Sequence, residues 1–218
     1  MQINIMVEGN DDQELVAALL GRLGKVKHWD KAFQGETAAG NQVAIYAMGG
    51  YTTLPTHRLL PRLQQSLEVG VLNLVIYDAD TVQHDRGGVT ARRATLQKQA
   101  TDWELSFELF LLPTDAADGN LEDLLHQLVH SDHRAVVACF VRYENCLRDC
   151  SSPTGSAYLL PGPKDKFYAY AQAMPLTDEE RKAHKVRGAT KYFTNEAYWN
   201  LDAPAIRPLR AFLDLHIR

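Results

Sequence analysis

Short apolar runs alternate with stretches of helical hydrophobic spacing through the first 130 residues of the chain. Residues 1–7 form an apolar run that ends in a polar turn, and the apolar residues that follow, up to Leu23, recur at helical spacing. The same alternation then continues. It predicts a strand over Gln42–Met48, a helix over Leu54–Val69, a strand over Val71–Tyr77, a helix over Val89–Trp103, a strand over Leu105–Leu112 and a helix that begins at Leu121.

The run Val71–Tyr77 carries the strongest information about the fold. It is the most continuous apolar segment of the chain, which is typical of a parallel strand that is buried on both faces. Because predicted strands and helices alternate around it, we expect an α/β fold. Its sheet should be parallel and Rossmann-like, flanked by helices, with right-handed crossovers.

From residue 131 onwards the hydrophobic pattern is mostly helical. The predicted helices span Arg134–Arg148, Asp165–Met174 and Pro204–His216, and a loop spans Ser151–Pro163. We therefore expect an α/β core over residues 1–130 and a helical extension over residues 131–218. The extension should pack on the core, so that the chain forms a single globular unit.

The net charge restricts how this protein can bind a polyanion. The 218 residues include 27 acidic and 23 basic side chains, so the formal net charge is −4. A protein that binds nucleic acid through its overall electric field is normally basic. Any phosphate-bearing partner must therefore be bound by a local site.

The cysteines and the first residues of the chain indicate the cellular compartment in which we expect the protein. The chain has three cysteines, all within residues 139–150 and without a Cys-x-x-Cys pair, so we expect reduced thiols that are buried as small hydrophobes on one helical stripe. The first residues lack the basic start of a signal peptide, and no apolar run approaches the ~20 residues of a membrane-spanning helix. We expect a cytoplasmic protein that does not associate with membranes.

Acidic residues collect where the predicted strands end. Glu8 follows the first strand, and Asp12 lies at the start of the next helix. Asp78 and Asp80 follow the third strand, and Glu122 follows the fourth. The carboxyl ends of parallel strands meet at one edge, where ligands bind. Because bunched carboxylates repel one another and Mg²⁺ prefers oxygen ligands, these acids indicate a divalent-metal site.

Each acid also has an ordinary structural alternative. Asp11 and Asp12 can cap the helix that they begin. Glu122 and Asp123 can cap theirs, and Asp80 can be a loop residue. The metal interpretation depends on the three acidic strand ends taken together.

Several short segments match a known domain in order and spacing. They are Val7-Glu8-Gly9-Asn10-Asp11-Asp12, Gly49-Gly50 and Tyr77-Asp78-Ala79-Asp80. With a glutamate after the first strand and an Asp-x-Asp pair after the third, the chain resembles the Toprim domain, the Mg²⁺-binding module of topoisomerases, bacterial primases, small ribonucleases and OLD-family nucleases. Three later segments resemble a group of stand-alone bacterial Toprim proteins related to the OLD nucleases: Leu112-Pro113, Gly119-Asn120-Leu121-Glu122-Asp123-Leu124-Leu125 and Lys166-Phe167-Tyr168-Ala169-Tyr170.

The resemblance implies a Toprim-like core and a role for each clustered acid. Glu8 would be a metal ligand or a general acid/base. Asp12, Asp78 and Asp80 would be further ligands, and Glu122 would be the acidic ligand of a second metal site.

The same resemblance implies phosphodiester chemistry that depends on Mg²⁺, with Mn²⁺ as an alternative ion and nucleic acid or nucleotide phosphate as the partner. Two metals about 3.5–4 Å apart can activate the attacking water and stabilise the leaving oxygen. Lys166 would offset charge on the phosphoryl oxygens, and Lys164 competes for this role. The ATP-binding motif of OLD proteins, Gly-x-x-x-x-Gly-Lys-[Ser/Thr], does not occur in the chain.

Three arginines follow the Asp-x-Asp pair and have two interpretations. Arg86, Arg92 and Arg93 can contact phosphates. We favour the alternative, in which all three lie on the exposed face of a helix, because charged side chains are usually exposed.

Other functions stay open on the sequence alone. Glu122, His126 and His130 are spaced by four residues, which can bind Zn²⁺ if all three share a helical face. A non-catalytic module that binds nucleotide or nucleic acid would not need an ion. A response-regulator-like receiver also collects acids at strand ends, with Asp78 in the place of its phosphorylated residue.

Overall fold

The structure of the chain is a computed structural model. It describes residues 1–30, 32–54, 58–65, 69–175, 177–179 and 193–218.

One five-stranded sheet organises the first part of the chain. Its strands are β1 (Gln2–Val7), β2 (Gln34–Glu36), β3 (Gln42–Ala47), β4 (Val71–Asp78) and β5 (Glu108–Leu112). Their order is β2-β3-β1-β4-β5, and each neighbouring pair is parallel except β2 with β3. The predicted α/β fold with a mostly parallel sheet is confirmed. The hydrophobic pattern does not predict β2, because this short edge strand is not apolar.

Helices flank the sheet and make up most of the later chain. The described α-helices are α1 (Asn10–Arg22), α2 (Leu60–Leu63), α3 (Val89–Asp102), α4 (Leu121–Leu128), α5 (Arg134–Asp149), α6 (Pro163–Ala173) and α7 (Arg207–His216). Single 3₁₀ turns span Ser131–His133 and Pro204–Ile206. None of the helices in the described ranges is both long enough and apolar enough to cross a bilayer.

The predicted helix over Leu54–Val69 is much shorter in the structure. Among its described residues, Leu60–Leu63 form an α-helix, and Pro61 lies in the first turn, where its missing N–H costs no hydrogen bond. Positions 55–57 and 66–68 lie outside the described residues. The strand predicted over Leu105–Leu112 begins later, at Glu108.

Different helices cover the two faces of the sheet. A buried cluster on one face joins Val75 of β4 to Leu63 of α2 and Leu96 of α3. On the opposite face, Phe110 of β5 contacts Phe212 of α7, with 5.4 Å between the ring centroids. The sheet is therefore covered on both faces, as parallel sheets usually are.

The chain divides into two compact units. The first unit comprises residues 1–127 and 201–218, and the second comprises residues 128–200. The first unit contains the sheet together with α7, the last helix of the chain. The expected division at residue 130 and the packing of a helical extension into a single globular unit stay predictions.

The second unit is built around aromatic rings. Trp199 is 1% exposed. Its ring contacts those of Phe167, Tyr170 and Phe193. Tyr170 donates a hydrogen bond from its hydroxyl to the carbonyl oxygen of Tyr198 at 2.6 Å, which satisfies the polar end of a buried side chain.

The cysteines of the second unit are not where the sequence pattern places them. Cys139, Cys146 and Cys150 are exposed, so their predicted burial is wrong. The buried residue of α5 is Val137, which shows that this helix turns a different stripe inward.

Candidate functional site

The carboxyl end of the sheet brings Glu8 and Asp78 together. Val7 pairs with Ile76 in the parallel register of β1 and β4, so the residue after β1 lies beside the end of β4. The backbone N–H of Asp78 donates a hydrogen bond to Oε1 of Glu8 at 3.1 Å. These two predicted site residues are therefore neighbours.

Asp12 caps a helix and also acts on Asp78. Its Oδ2 accepts a hydrogen bond from the backbone N–H of Gly9 at 3.0 Å, which stabilises the start of α1. Asp12 is nevertheless buried, with 5% exposure. Among the neighbouring charges, that of Asp12 raises the pKa of Asp78 most. The capping role and the electrostatic role are both present.

Glu122 joins the same place through the start of α4. The backbone N–H of Leu121 donates a hydrogen bond to Oδ1 of Asp78 at 2.9 Å, so Asp78 lies against the first turn of this helix. Glu122 is the next residue and is 7% exposed. Its Oε1 is buried and has no hydrogen-bond partner among the described residues.

Asp78 lies among like charges. Burial raises the pKa of its carboxyl group well above the ordinary value, and neighbouring charges raise it further. The neighbours are, in decreasing order of effect, Asp12, Glu8, Glu122 and Asp80. We call Asp78 and these four neighbours the acidic cluster. The sequence predicted all five as site residues, and the structure brings them close enough to interact electrostatically.

Tyr77 is a further neighbour that the sequence analysis missed. Its hydroxyl is buried and has no hydrogen-bond partner within the described part of the chain. Burial raises its pKa above the ordinary value, and the charges of Glu8 and Asp12 add to the increase. The sequence gives no signal that Tyr77 belongs to the site, because Tyr77 is part of the apolar run of β4.

Asp80 is held differently from the rest of the acidic cluster. Its backbone exchanges two hydrogen bonds with Gly119, at 2.7 and 2.9 Å, and it adopts a positive φ of 58°. Its Oδ2 forms an ion pair with Nη2 of Arg92. The carboxylate of Asp80 therefore contacts a cation that the chain itself supplies.

Arg92 corrects the prediction of an exposed arginine face on α3. Its side chain is 1% exposed, and its guanidinium carbon lies 3.5 Å from the centre of the Tyr51 ring. Arg93, the next residue, forms an ion pair with Asp115 at 2.6 Å. Arg86 is exposed, as predicted. The helical spacing gives no signal for the burial of Arg92, because its partners, Asp80 and Tyr51, lie in loops outside the helix.

Three other acids near this edge have local structural partners. Asp115 accepts a hydrogen bond from the backbone of Leu111 in addition to its contact with Arg93. Asp118 accepts one from the N–H of Val89 at 2.8 Å, at the start of α3. Asp123 accepts one from the N–H of Asn120 at 3.0 Å. These acids therefore act as turn and helix caps.

Lys166 belongs to the second unit, whereas the acidic cluster belongs to the first. Its Nζ lies 3.8 Å from Oε2 of Glu144. A role for Lys166 beside a phosphate stays a prediction, as does the choice between Lys166 and Lys164.

Only two of the three residues of the alternative zinc site lie on α4. Glu122 is buried, whereas His126 is exposed on the same helix. His130 lies beyond the end of α4, where its Nδ1 accepts a hydrogen bond from the N–H of Asp132 at 3.4 Å. The spacing of four residues therefore does not produce three converging ligands.

The acidic cluster fits a hard divalent cation in its chemistry. Every donor is a carboxylate oxygen, and Oε1 of Glu122 is a buried acceptor that lacks a partner among the described residues. In the described ranges, however, no group of three or more His, Cys, Asp or Glu side chains has the arrangement of a metal site. Binding an ion therefore requires side-chain rotation on the backbone frame.

Comparison with known families identifies one match. The family model described as "Protein of unknown function (DUF3226)" matches residues 2–217, so the chain belongs to this family. The match extends over the sheet and over the second unit alike. Comparisons with curated proteins and with solved structures gave no match.

Proposed function

We propose that this protein is a Mg²⁺-dependent phosphodiester-cleaving enzyme whose metal site is the acidic cluster. Mn²⁺ is an alternative ion, and nucleic acid or nucleotide phosphate is the partner. The observation that carries the proposal is the concentration of carboxylates around Asp78, which the N–H groups of Asp78 and Leu121 join to Glu8 and to the first turn of α4, and whose charges raise the pKa of Asp78. Such a concentration destabilises a fold unless a cation or a proton offsets it, and perturbed carboxylates of this kind are typical of functional sites.

The ligands come from three segments that meet at the sheet edge. Glu8, Asp12, Asp78 and Glu122 would hold the ion, and Asp80 is the fifth candidate that the resemblance to Toprim domains implies. A divalent ion supplies Lewis-acid stabilisation of a phosphate oxygen and a more acidic water. With the ion bound, the local charge is reversed, so a chain of net charge −4 can accept a phosphate substrate.

Backbone N–H groups orient two of these carboxylates. The N–H of Asp78 holds Oε1 of Glu8, and the N–H of Leu121 holds Oδ1 of Asp78. Each carboxylate is thereby anchored through one oxygen at the end of a rigid strand. Glu8 would accept the proton of the attacking water.

A non-catalytic module that binds nucleotide or nucleic acid is the second candidate. The observation that favours it is that, in the described part of the chain, the carboxylates do not form a ready-made metal site. Such a module would keep its contacts to phosphate without cleaving it.

Cleavage assays decide between the two candidates. Labelled DNA and RNA, single-stranded and double-stranded, are incubated with purified protein and Mg²⁺, Mn²⁺ or EDTA. Asp78→Asn removes one charge but keeps an acceptor for the Leu121 N–H, so the fold is retained. Asp118→Asn is the matched control, because asparagine caps α3 as well as aspartate does.

We expect the wild type and Asp118→Asn to cleave when the ion is present. Asp78→Asn should be slower by about 100-fold or more, the usual effect of removing one strong electrostatic contact from a reaction site. Binding without cleavage, unchanged in Asp78→Asn, would select the non-catalytic module. Equal cleavage by the wild type and Asp78→Asn would exclude the acidic cluster as the site.

A further inference from the structure

The ion pair between Asp80 and Arg92 bears on which acids would bind the proposed ion. The resemblance treats Asp80 as a ligand equivalent to Asp78, but the two carboxylates have different partners. Asp78 accepts a hydrogen bond from a backbone N–H at the start of α4. Asp80 contacts the guanidinium of Arg92, whose side chain is 1% exposed.

The guanidinium of Arg92 depends on this one carboxylate. The ring of Tyr51 covers it, 3.5 Å from the guanidinium carbon, which is a cation–π contact. Nε and Nη1 of Arg92 are buried and have no hydrogen-bond partner in the described residues. If Asp80 turned away towards an ion, a buried positive charge would lose its counter-charge, which is strongly unfavourable.

The backbone of Asp80 also resists such a movement. Its two hydrogen bonds to Gly119 join the loop after β4 to the loop before α4. Tyr51 donates from its hydroxyl to the carbonyl oxygen of Asp85 at 3.4 Å, so the loop after β3 is attached to the same place. Asp80, Arg92 and Tyr51 together connect the loops that surround the acidic cluster.

We propose that Asp80 is a positioning residue and not a metal ligand: Arg92 withholds its carboxylate from the ion, which Glu8, Asp12, Asp78 and Glu122 bind. The Arg92–Asp80 pair holds the loop after β4 against α3. This inference rests on the proposed metal site, but it assigns the members of that site differently from the resemblance.

Mn²⁺ binding to the purified full chain, measured by isothermal titration calorimetry, tests the assignment. Asp78→Asn should weaken binding by more than about 30-fold, because a buried carboxylate in contact with the ion is lost. Asp80→Asn should lower the Tm, because it leaves the buried charge of Arg92 without its counter-charge, but it should change the Kd by less than about threefold, since asparagine still accepts a hydrogen bond from Arg92.

Arg92→Met should tighten binding by roughly three- to tenfold, because it frees the Asp80 carboxylate and removes a nearby positive charge. The double variant Asp80→Asn/Arg92→Met should return to the wild-type Kd. Arg93→Met is the matched control on α3, since Arg93 pairs with Asp115 outside the acidic cluster, and it should leave the Kd unchanged.

The possible failures are distinguishable. If Asp80→Asn weakens binding as much as Asp78→Asn does, Asp80 is a ligand and the inference is overturned. If Arg92→Met binds like the wild type, Arg92 does not withhold the carboxylate. If the wild type does not bind Mn²⁺, the proposed function itself fails, and the inference fails with it. Should Arg92→Met not fold, the comparison of Asp80→Asn with Asp78→Asn decides the matter by itself.

Discussion

Two carboxylates of the first unit, Asp78 and Asp202, have opposite electrostatic environments. Asp202 is half-exposed and lies between Arg22 of α1 and Arg210 of α7, with each N···O distance at 2.5 Å. Hydrogen bonds from these two arginines hold the pKa of Asp202 below its ordinary value. Asp78 lies among other acids, and burial together with their charges raises its pKa well above the ordinary value.

The difference separates a structural carboxylate from a functional one. The charge of Asp202 helps to hold α7 against α1, because the folded state provides opposite charges that the unfolded chain lacks. The charge of Asp78 opposes folding at neutral pH. A fold retains such an arrangement when the site has a use for it, and the proposed cation provides that use.

The largest expected effect is the loss of metal-induced stabilisation. We expect saturating Mg²⁺ or Mn²⁺ to raise the Tm of the wild type by about 5–10 °C, since a ligand of the folded state stabilises it by mass action. Glu8→Gln and Asp78→Asn should lose this shift. Differential scanning fluorimetry with and without EDTA measures it, and Asp202→Asn should keep the full shift. An equal shift in all variants would place the ion elsewhere.

A smaller effect of opposite sign is expected without metal. Asp78→Asn should be more stable than the wild type at neutral pH, by about 2–6 °C in Tm, because one of several repelling charges is gone. The pKa of Asp78 is higher in the folded state than in the unfolded chain. Its contribution to the free energy of unfolding is therefore fully present below the ordinary pKa of 3.8 and is lost as the pH rises through the folded-state pKa.

The gain in Asp78→Asn should therefore be absent near pH 3.8 and should grow towards neutral pH. Urea unfolding in EDTA across this pH range checks the sign. A gain that is independent of pH would show that packing, not charge, is responsible.

The smallest expected effect concerns Asp202. Asp202→Asn should lower the Tm by about 1–3 °C, because an exposed ion pair contributes little. The pKa of Asp202 is lowered in the folded state. Its contribution to the free energy of unfolding is therefore present above the ordinary carboxyl pKa and is lost as the pH falls through the folded-state pKa. The Tm difference should shrink in 1 M salt, which screens exposed charges. A difference that persists in salt would show that the hydrogen bonds matter more than the charges.

The fold follows from local patterns wherever an element buries a clear stripe of apolar residues. Strands β1 and β4 are predicted by their apolar runs, and α1 and α3 begin and end within a few residues of their predicted limits. The edge strand β2 is missed because three residues without an apolar side chain carry no periodicity. The helix predicted over Leu54–Val69 is found only over Leu60–Leu63 among its described residues, with Pro61 in its first turn, where proline is tolerated.

The candidate site was predictable to the extent that its residues follow strands. Glu8 and Asp78 end apolar runs, so a parallel sheet places them at one edge. The alternatives for the other acids could not be separated by position. Asp118 and Asp123 are also acids in similar positions. Each accepts a hydrogen bond from a nearby backbone N–H, however, and therefore acts as a cap.

The sequence by itself predicted that acids stand at the ends of strands, because strand, turn and helix start are encoded by neighbouring residues, whereas the adjacency of β1, β4 and β5 comes from the structure. Only the tertiary structure decided which acids lie close enough to repel one another and which are neutralised by a basic partner. Arg92 and Arg93 are adjacent on α3, yet one is buried against Asp80 and Tyr51 and the other reaches Asp115. Burial and pairing depend on contacts with loops outside the helix, and a linear pattern contains no information about which side chains meet.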